Sequence, residues 1–259
     1  GGRAAAPRRR VAVSAAVPPA AAPSRGFDAD RLAVPALAGA VVAALLLFVA
    51  IPLVAILRLS FVLPDGGVGL GNYAREFANP KFPRVVANSF AVSITTTAIT
   101  VVLAYAFACA LRRSAMPFKR TCGAIALLPL YAPSLVQALG ILFLFGRNGI
   151  VNRWLGADID IYGFWGIVVA DVFYSFHHAF LILSPALAVG DARLYESARM
   201  LGAGPARIFM TITLPATRYG IVSAVFVVFT IVITDFGNPM VIGADYSVLA
   251  TEIYNQVSG

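Results

Sequence analysis

Residues 191–218 read DARLYESARMLGAGPARIFMTITLPATR, a charged stretch between two long apolar runs. The first half has the composition of a short helix, with Asp191 as its N-cap. Gly202 is the residue type that ends a helix in the left-handed conformation, and Pro205 suits the first turn of a second helix. We expect Pro215 to end that second helix. The stretch therefore predicts two helices joined by a tight glycine turn, which is typical of a loop that docks on another molecule.

The composition of the chain predicts a membrane protein. Of its 259 residues 59% are hydrophobic and only 12% are charged, and the mean hydropathy is +0.83, far from the values of a soluble domain. A helix needs about 20 residues to cross a bilayer. Five apolar stretches meet this requirement: Leu32 to Leu57, Val85 to Leu111, Thr121 to Phe145, Gly163 to Val189 and Tyr219 to Thr234. The predicted fold class is an all-α, polytopic membrane helical bundle.

The basic residues predict the orientation of the spans, because cytoplasmic connectors are enriched in Lys and Arg. They concentrate in the amino-terminal arm and in the connectors after spans two and four: Arg3, Arg8, Arg9, Arg10, Arg25, Arg31; Arg112, Arg113, Lys119, Arg120; Arg193, Arg199, Arg207, Arg218. The amino terminus and the 191–218 loop are therefore expected in the cytoplasm. This pattern explains the net charge of +8 without a nucleic-acid partner.

The spacing of Glu196, Gly202, Ile212 and the Leu214-Pro215 pair resembles the EAA loop of bacterial ABC importer permeases of the MetI-like type. The resemblance implies that Glu196, Ser197, Ala198, Gly202, Ile212, Leu214 and Pro215 couple the chain to a cytoplasmic ABC ATPase dimer. Ser197 stands where alanine is usual, and both residues are small. The resemblance further implies a second permease unit or a homodimer, an external or periplasmic solute-binding protein, and a location in the inner membrane.

Three further stretches are similar to permeases assigned to 2-aminoethylphosphonate uptake and, less closely, to their iron(III) relatives. They are LLPLYAPS at 127–134, TDFGNP at 234–239 and LATEIY at 249–254. The resemblance implies 2-aminoethylphosphonate as the cargo, with iron(III) or another small solute as the alternative. The sequence lacks a GxxxxGK[ST] phosphate-binding loop, so we expect a partner chain to hydrolyse ATP and this chain to need no cofactor.

Two prolines and two acids within the spans are candidates for the translocation path. Pro129 and Pro133 interrupt the backbone hydrogen bonds of span three, which fits either a water-lined cavity or a kink that helps helices pack. Asp171 in span four fits either a path residue or a structural hydrogen bond to a Ser or Thr of span two. Asp235 precedes a predicted break at the outer end of span five. Either Asp171 or Asp235 is a candidate partner for the ammonium group of the cargo.

Two other function classes stay open at this point. A secondary transporter would move protons through Asp171 and His177 or His178, and a non-transporting scaffold would use the Glu196 loop only to bind a cytosolic protein. We expect no metal site, because adjacent histidines diverge on a helix and a third ligand is missing. Cys109 and Cys122 have no metal-ligand spacing and are expected to pack as small apolar residues.

The predicted domain organisation has two parts. Residues 1–31 are rich in Ala, Pro and Arg and are expected to form a disordered, basic cytoplasmic arm. Residues 32–259 are expected to form the permease transmembrane domain. Span five is followed by an amphipathic segment and no return span, so a sixth helix is expected to be missing and the domain to be truncated at its carboxyl end.

Overall fold

The structure is a computed structural model that describes residues 1–2, 29–156, 160–190 and 192–258. Most of the predicted 1–31 arm and the predicted N-cap Asp191 lie outside the described residues. The α-helices are α1 Ala29–Leu45, α2 Ile51–Ser60, α3 Gly71–Ala78, α4 Phe82–Arg113, α5 Lys119–Leu127, α6 Ser134–Phe145, α7 Ile150–Leu155, α8 Phe164–Ala188, α9 Ala192–Met200, α10 Pro205–Ile208, α11 Leu214–Ile233, α12 Gly237–Ile242 and α13 Leu249–Ser258. They belong to two compact units, Gly1–Ala74 and Arg75–Gly259.

Within the described residues, five helical stretches are long and apolar enough to cross a membrane, as the sequence predicts. They are Ala33–Ser60, Phe82–Arg113, Ser134–Leu155, Phe164–Ala188 and Pro205–Ile233. The first, second and fourth match the predicted spans to within a few residues at each end. The third and fifth differ in ways that follow from their prolines. The all-α class is confirmed.

The first unit contains the first span and the loop that follows it. A π-helical turn over Leu46–Ala50 joins α1 to α2, so that the two helices form one continuous rod. At the end of α2 the side-chain amide of Asn72 donates hydrogen bonds to the carbonyl oxygens of Ser60, at 3.1 Å, and Val62, at 2.8 Å. These carbonyls lie where the helix can no longer supply partners. The side chain of Asn72 therefore fixes how the chain leaves α2.

The second unit is built around α4, α8 and α11. Thr100 meets Ser175 and Arg112 meets Ser184, so α4 and α8 run in the same direction. The Tyr105 contact with Thr217 lies nearer the start of α11 than the ring contact between Phe90 and Phe229, so α11 runs the opposite way. Four fully buried alanines allow the close approach of the three helices: Ala104, Ala108, Ala179 and Ala224.

Span three is interrupted at its prolines, as the sequence predicts, but its membrane-length part is Ser134–Leu155 and not Thr121 to Phe145. In the structure α5 is followed by a 3-10 turn over Leu128–Tyr131, an extended Ala132 and then α6. The prolines cause this break, because Pro129 and Pro133 have no backbone N–H to donate. The side chain of Gln137 donates to the carbonyl oxygens of Pro129, at 2.8 Å, and Ala132, at 2.9 Å. The freed carbonyls are thus satisfied within the chain.

The prediction that Pro215 ends a second helix is wrong. The helix that begins at Pro205 continues through a π-helical turn over Phe209–Thr213 into α11 and ends at Ile233. A π turn lengthens the hydrogen-bonding loop by one residue, and kinks of this kind accommodate a proline ring inside a helix. Pro215 therefore lies in the first turn of α11, and span five is longer than its apolar composition predicts.

The α12 helix is seated in a pocket formed by α6 and α8. The amide of Gly163 donates a 3.0 Å hydrogen bond to the carbonyl oxygen of Ile242. A Cβ at Gly166 would lie 1.5 Å from the carbonyl oxygen of Ile161 and 2.6 Å from Ile242 Cγ2 on α12, and one at Gly237 would lie 2.6 Å from the amide nitrogen of Leu135. Only glycine fits at these two contacts, and α12 is held tightly as a result.

Candidate functional site

The predicted glycine turn is present between α9 and α10. Gly202 has φ +75°, in the left-handed region. Its amide donates to the carbonyl oxygen of Arg199 at 2.9 Å, and the amide of Ala203 donates to that of Ala198 at 2.9 Å. These two bonds together form a Schellman motif, which satisfies carbonyls that the end of α9 would otherwise leave free. Gly204 and Pro205 then start the next helix as N-cap and first residue.

The outer face of α9 combines charge with exposed apolar side chains. Glu196 and Ser197 are exposed, while Ala198 is half-buried. Met200 and Leu201 are 89% and 88% exposed, although both are large and apolar. A shallow depression collects these features, lined by Arg193, Glu196, Ser197, Met200 and Leu201. An apolar tip beside a carboxylate is a surface suited to a protein partner.

The inner face of α9 borders a cavity of about 780 Å³ at the Arg113 end of the bundle. Arg112, Arg113 and Arg199 line this cavity together with the single carboxylate Glu196. The side chain of Arg112 donates a 3.1 Å hydrogen bond to the hydroxyl of Ser184. The connectors after spans two and four therefore meet at one end of the bundle, as the distribution of arginines predicts.

The seven predicted coupling residues do not form one surface. Glu196, Ser197, Ala198 and Gly202 belong to α9 and its turn. Ile212, Leu214 and Pro215 lie on the long helix of span five, where Ile212 and Pro215 border a separate depression with Leu194 and Arg218. The first part of the motif thus marks the end of α9 at the Gly202 turn, and the second part marks the start of α11 at Pro215. The π turn over Phe209–Thr213 lies between them.

The predicted path acids meet through one asparagine. The side-chain amide of Asn238 donates a 2.6 Å hydrogen bond to Asp171 Oδ1, and the backbone amide of Asn238 donates a 2.9 Å bond to Asp235 Oδ2. Asp171 and Asn238 have no exposed surface, and Asp235 is 8% exposed. The structural hydrogen bond expected for Asp171 is therefore made to α12 and not to a Ser or Thr of span two.

The predicted break at Asp235 is present, but its form differs. The α11 helix already ends at Ile233, and Gly237 and Pro239 lie inside the short α12 helix instead of stopping a longer one. Because Gly237 approaches the backbone at Leu135, the proline break of span three lies beside the turn that holds Asp235. Pro133, Asp171 and Asp235 are thus grouped around α12, and Pro129 lies in the 3-10 turn before them.

The two histidines do not diverge as the sequence analysis predicts. The rings of His177 and His178 lie 3.9 Å apart between centroids, and His177 is only 1% exposed. Both rings also contact Tyr174, which draws them to the same side of α8. Among the described residues no three His, Cys, Asp or Glu side chains come together as metal ligands. Cys109 and Cys122 are unpaired and pack against the core, as predicted.

Sequence reasoning missed three polar residues on which the local structure depends. Asn238 joins the two acids, Gln137 satisfies the proline break and Tyr195 holds the inner face of α9. Asn238 and Gln137 are polar side chains in or beside an apolar stretch, which is the signal that singled out Asp171. Applied to amides as well as to carboxylates, the same rule finds these two, whereas Tyr195 lies in the charged 191–218 stretch and the rule does not reach it.

Comparison with known proteins identifies the chain. The family described as "Binding-protein-dependent transport system inner membrane component" matches residues 101–258. The chain belongs to this family. Its members are inner-membrane permease subunits of ABC importers, so the chain is a multi-pass transport permease.

Two curated relatives, both from Haemophilus influenzae, show the same kinship. The putative ferric transport system permease protein FbpB 1 is 30% identical over 182 residues, which cover 68% of this chain and 29% of that protein. The chain thus spans less than a third of that relative's length. The spermidine/putrescine transport system permease protein PotB is 30% identical over 192 residues, which cover 69% of this chain and 67% of that protein.

Two crystal structures of a bacterial alginate ABC transporter share the fold of the permease. One has a TM-score of 0.72 at 17% identity and covers 88% of this chain and 85% of that chain. The other, solved with a periplasmic protein that holds an alginate pentasaccharide, has a TM-score of 0.66 at 19% identity, with coverages of 87% and 83%. At this identity the likeness establishes the helical architecture.

The hydrogen bond between Asp171 and Asn238 predicts a non-additive pair of substitutions. Asn238→Leu leaves a buried carboxylate without its donor and should lower the free energy of unfolding by about 2–3 kcal/mol. The double variant Asp171→Leu/Asn238→Leu removes both polar groups and should be more stable than Asn238→Leu alone. Thermal unfolding of the purified permease in detergent measures both.

Asn88→Leu is the matched control, because its half-buried amide donates to the Ser247 carbonyl and faces no carboxylate. Asn88→Leu should lower the free energy of unfolding by less than Asn238→Leu does. If the double variant loses the summed stability of the two single variants, the bond does not stabilise the seating of α12.

Proposed function

We propose that α9 and the Gly202 turn form the element through which the permease docks on a cytosolic ABC ATPase dimer. The observation that carries this proposal is the exposed apolar tip of Met200 and Leu201 beside the carboxylate of Glu196. A monomeric surface gains nothing from an exposed methionine and leucine at a helix end. A groove on a partner protein would bury both, with Glu196 at the rim.

The proposed docking places the amino terminus and the Arg113 end of the bundle in the cytoplasm. Contact between Arg113 and α9 puts the two arginine-rich connectors at that end. The excess of arginine there supports the orientation, because positive connectors stay inside. A partner that hydrolyses ATP supplies the energy, and a second permease unit, either another copy or a paralogue, completes the translocation path.

The opposite end of the bundle is the proposed meeting point with a solute-binding protein. The alginate transporter, which shares this fold, was crystallised with its periplasmic protein. In the permease this end carries α12 and α13, whose amide at Leu249 donates a 2.7 Å hydrogen bond to Ser89 on α4. A protein bound at this end would contact the elements that cover the Asp171 network, which is the hydrogen-bonded group of Asp171, Asp235 and Asn238.

Pro129, Pro133, Asp171 and Asp235 are proposed to border the translocation path. The grouping of Pro133, Asp171 and Asp235 around α12 supports this role. Asp171 is fully buried and Asp235 nearly so, so α12 must shift before either carboxylate meets a solute. The seating of α12 would then act as the outer closure of the path.

The cargo of the permease is proposed to be a small polar solute. The similarity of the 234–239 and 249–254 stretches favours 2-aminoethylphosphonate. The two relatives described above are named for ferric iron and for polyamines, so iron(III) stands equally well as the alternative. Membership of an ABC permease family favours the importer over the proton-coupled transporter and the scaffold.

A matched pair of glycine substitutions tests the docking element. Gly202→Thr forces a β-branched residue into the left-handed region at φ +75°, which costs about 1–2 kcal/mol and distorts the end of α9. Gly204→Thr places the same side chain at an N-cap with φ −72°, where threonine is favourable. We expect Gly202→Thr to lose uptake per ATP hydrolysed and Gly204→Thr to keep it.

Uptake and ATP hydrolysis by the reconstituted importer measure this coupling. Both substitutions leave open space around the new Cβ, so steric clash does not distinguish them. Normal coupled uptake in Gly202→Thr would contradict the docking role of the turn.

Ligand screening on the companion binding protein tests the cargo. We expect a rise in its melting temperature with 2-aminoethylphosphonate and no comparable rise with polyamines. Stabilisation by ferric iron alone would replace the phosphonate assignment with the iron alternative. The importer assignment of the permease does not depend on this result.

A further inference from the structure

Tyr195 holds the inner face of α9 against the end of α4. Its ring is half-buried, and the guanidinium carbon of Arg113 lies 4.2 Å from the ring centroid. Arg113 Nη2 also donates a 2.5 Å hydrogen bond to the Tyr195 hydroxyl. Because Arg113 is the last residue of α4, these contacts join α9 to the end of a membrane span.

The same hydroxyl reaches the start of span five. It lies 3.3 Å from Thr213 Oγ1, in the π turn that leads into α11, and Thr213 is only 2% exposed. Gly190 leaves room for the ring, since a Cβ at that position would lie 3.3 Å from the hydroxyl oxygen. One oxygen atom therefore links α4, α9 and the segment before α11.

The hydrogen bonds continue from Thr213 into the core of the bundle. Thr217 Oγ1 donates a 2.9 Å bond to the carbonyl oxygen of Thr213 and lies 2.8 Å from the Tyr105 hydroxyl. Tyr105 is on α4, about two turns before Arg113. Thr217 and Tyr105 are buried at 2% and 8% exposure. The contacts thus form a closed circuit from α4 through α9 and α11 back to α4.

We propose that the Tyr195 hydroxyl is the positioning group that passes a displacement of α9 to α4 and α11. This inference rests on the proposed docking of α9 on the ATPase. Ser197 and Met200 border the outer depression and not the inner cavity, whereas Tyr195 lines the inner cavity, so docking and transmission use different faces of one helix. Without the hydroxyl, α9 still docks but moves independently of the two spans.

Tyr195→Phe separates these two roles. The substitution keeps the ring beneath Arg113 and removes both hydrogen bonds of the hydroxyl. The importer is assembled with its ATPase and binding protein, and ATPase retention is the amount of ATPase subunit that stays bound to the purified permease. We expect ATPase retention to be unchanged and uptake per ATP hydrolysed to fall about five-fold, the effect of one or two lost hydrogen bonds.

Tyr219→Phe is the matched control. Arg218 Nη2 donates a 2.9 Å hydrogen bond to the Tyr219 hydroxyl, and the Arg218 guanidinium carbon lies 4.6 Å from the ring centroid. The chemistry is the same as at Tyr195, but both residues are neighbours on one helix and join no separate elements. We expect uptake per ATP equal to that of the unmodified importer.

Thr213→Val removes the second partner of the hydroxyl with little change in shape. Thr213→Val should reduce uptake per ATP hydrolysed. The double variant Tyr195→Phe/Thr213→Val should reduce it little more than Tyr195→Phe alone. If Tyr195→Phe is not recovered from membranes, Thr213→Val alone tests the role of the Tyr195 hydroxyl through the same measurement of uptake per ATP hydrolysed. Unchanged uptake per ATP in either variant, or loss of ATPase retention in Tyr195→Phe, would overturn the inference.

Met200→Ser distinguishes failure of this inference from failure of the docking proposal. Weaker ATPase retention in Met200→Ser together with normal transport by Tyr195→Phe would refute only the role of Tyr195. Unchanged retention in Met200→Ser would refute the docking proposal on which that role rests.

Discussion

A lipid bilayer offers no water to the buried polar groups of the bundle, so these groups depend on partners within it, and Asp171 Oδ2 and Asn238 Oδ1 are among the described side-chain atoms that find none. An unpaired amide or carboxylate in that environment costs several kcal/mol. This constraint explains why the irregular parts of the chain sit where they do. The proline break of span three is possible because Gln137 takes up two freed carbonyls, and the turn after α11 is possible because Asn238 joins Asp171 and Asp235.

The same constraint is met differently at the two ends of the bundle. At the α12 end, glycine contacts bring backbones together and the Asp171 network is sealed from solvent. At the Arg113 end, a cavity of about 780 Å³ separates α9 from the spans, and single side-chain contacts cross it. Within the bundle α12 is thus tightly seated, whereas α9 is more loosely attached.

The sequence was sufficient for the number of spans in the described residues, for the glycine turn and for the family, because each depends on local chemistry. Apolar length predicts a span, and a left-handed helix end requires a residue such as Gly202. It was insufficient at Pro215, where the π turn over Phe209–Thr213 absorbs a residue that normally stops a helix. A hydropathy pattern does not show where the backbone hydrogen bonds of a helix change from the α to the π type.

The partner of Asp171 was also beyond the sequence, for a different reason. Asn238 is 67 residues away, and the return of α12 into the bundle depends on glycine contacts with α6 and α8. By contrast, Tyr174, His177 and His178 stand at i, i+3 and i+4 on α8, the spacing that brings side chains together on one face of a helix. Tertiary packing, which no local pattern encodes, set the partner of Asp171 and not the contact of the two histidines.

Site-directed cross-linking in native membranes tests the central claim, the docking of α9 on an ATPase, most directly. Met200→Cys would be introduced into a chain in which Cys109 and Cys122 are replaced by alanine, with Trp154→Cys as an equally exposed control, since Met200 and Trp154 are both 89% exposed. The account predicts a bifunctional thiol–amine reagent to join Met200→Cys, but not Trp154→Cys, to the ATPase subunit. Equal yields at the two positions, or none at Met200→Cys, would contradict it.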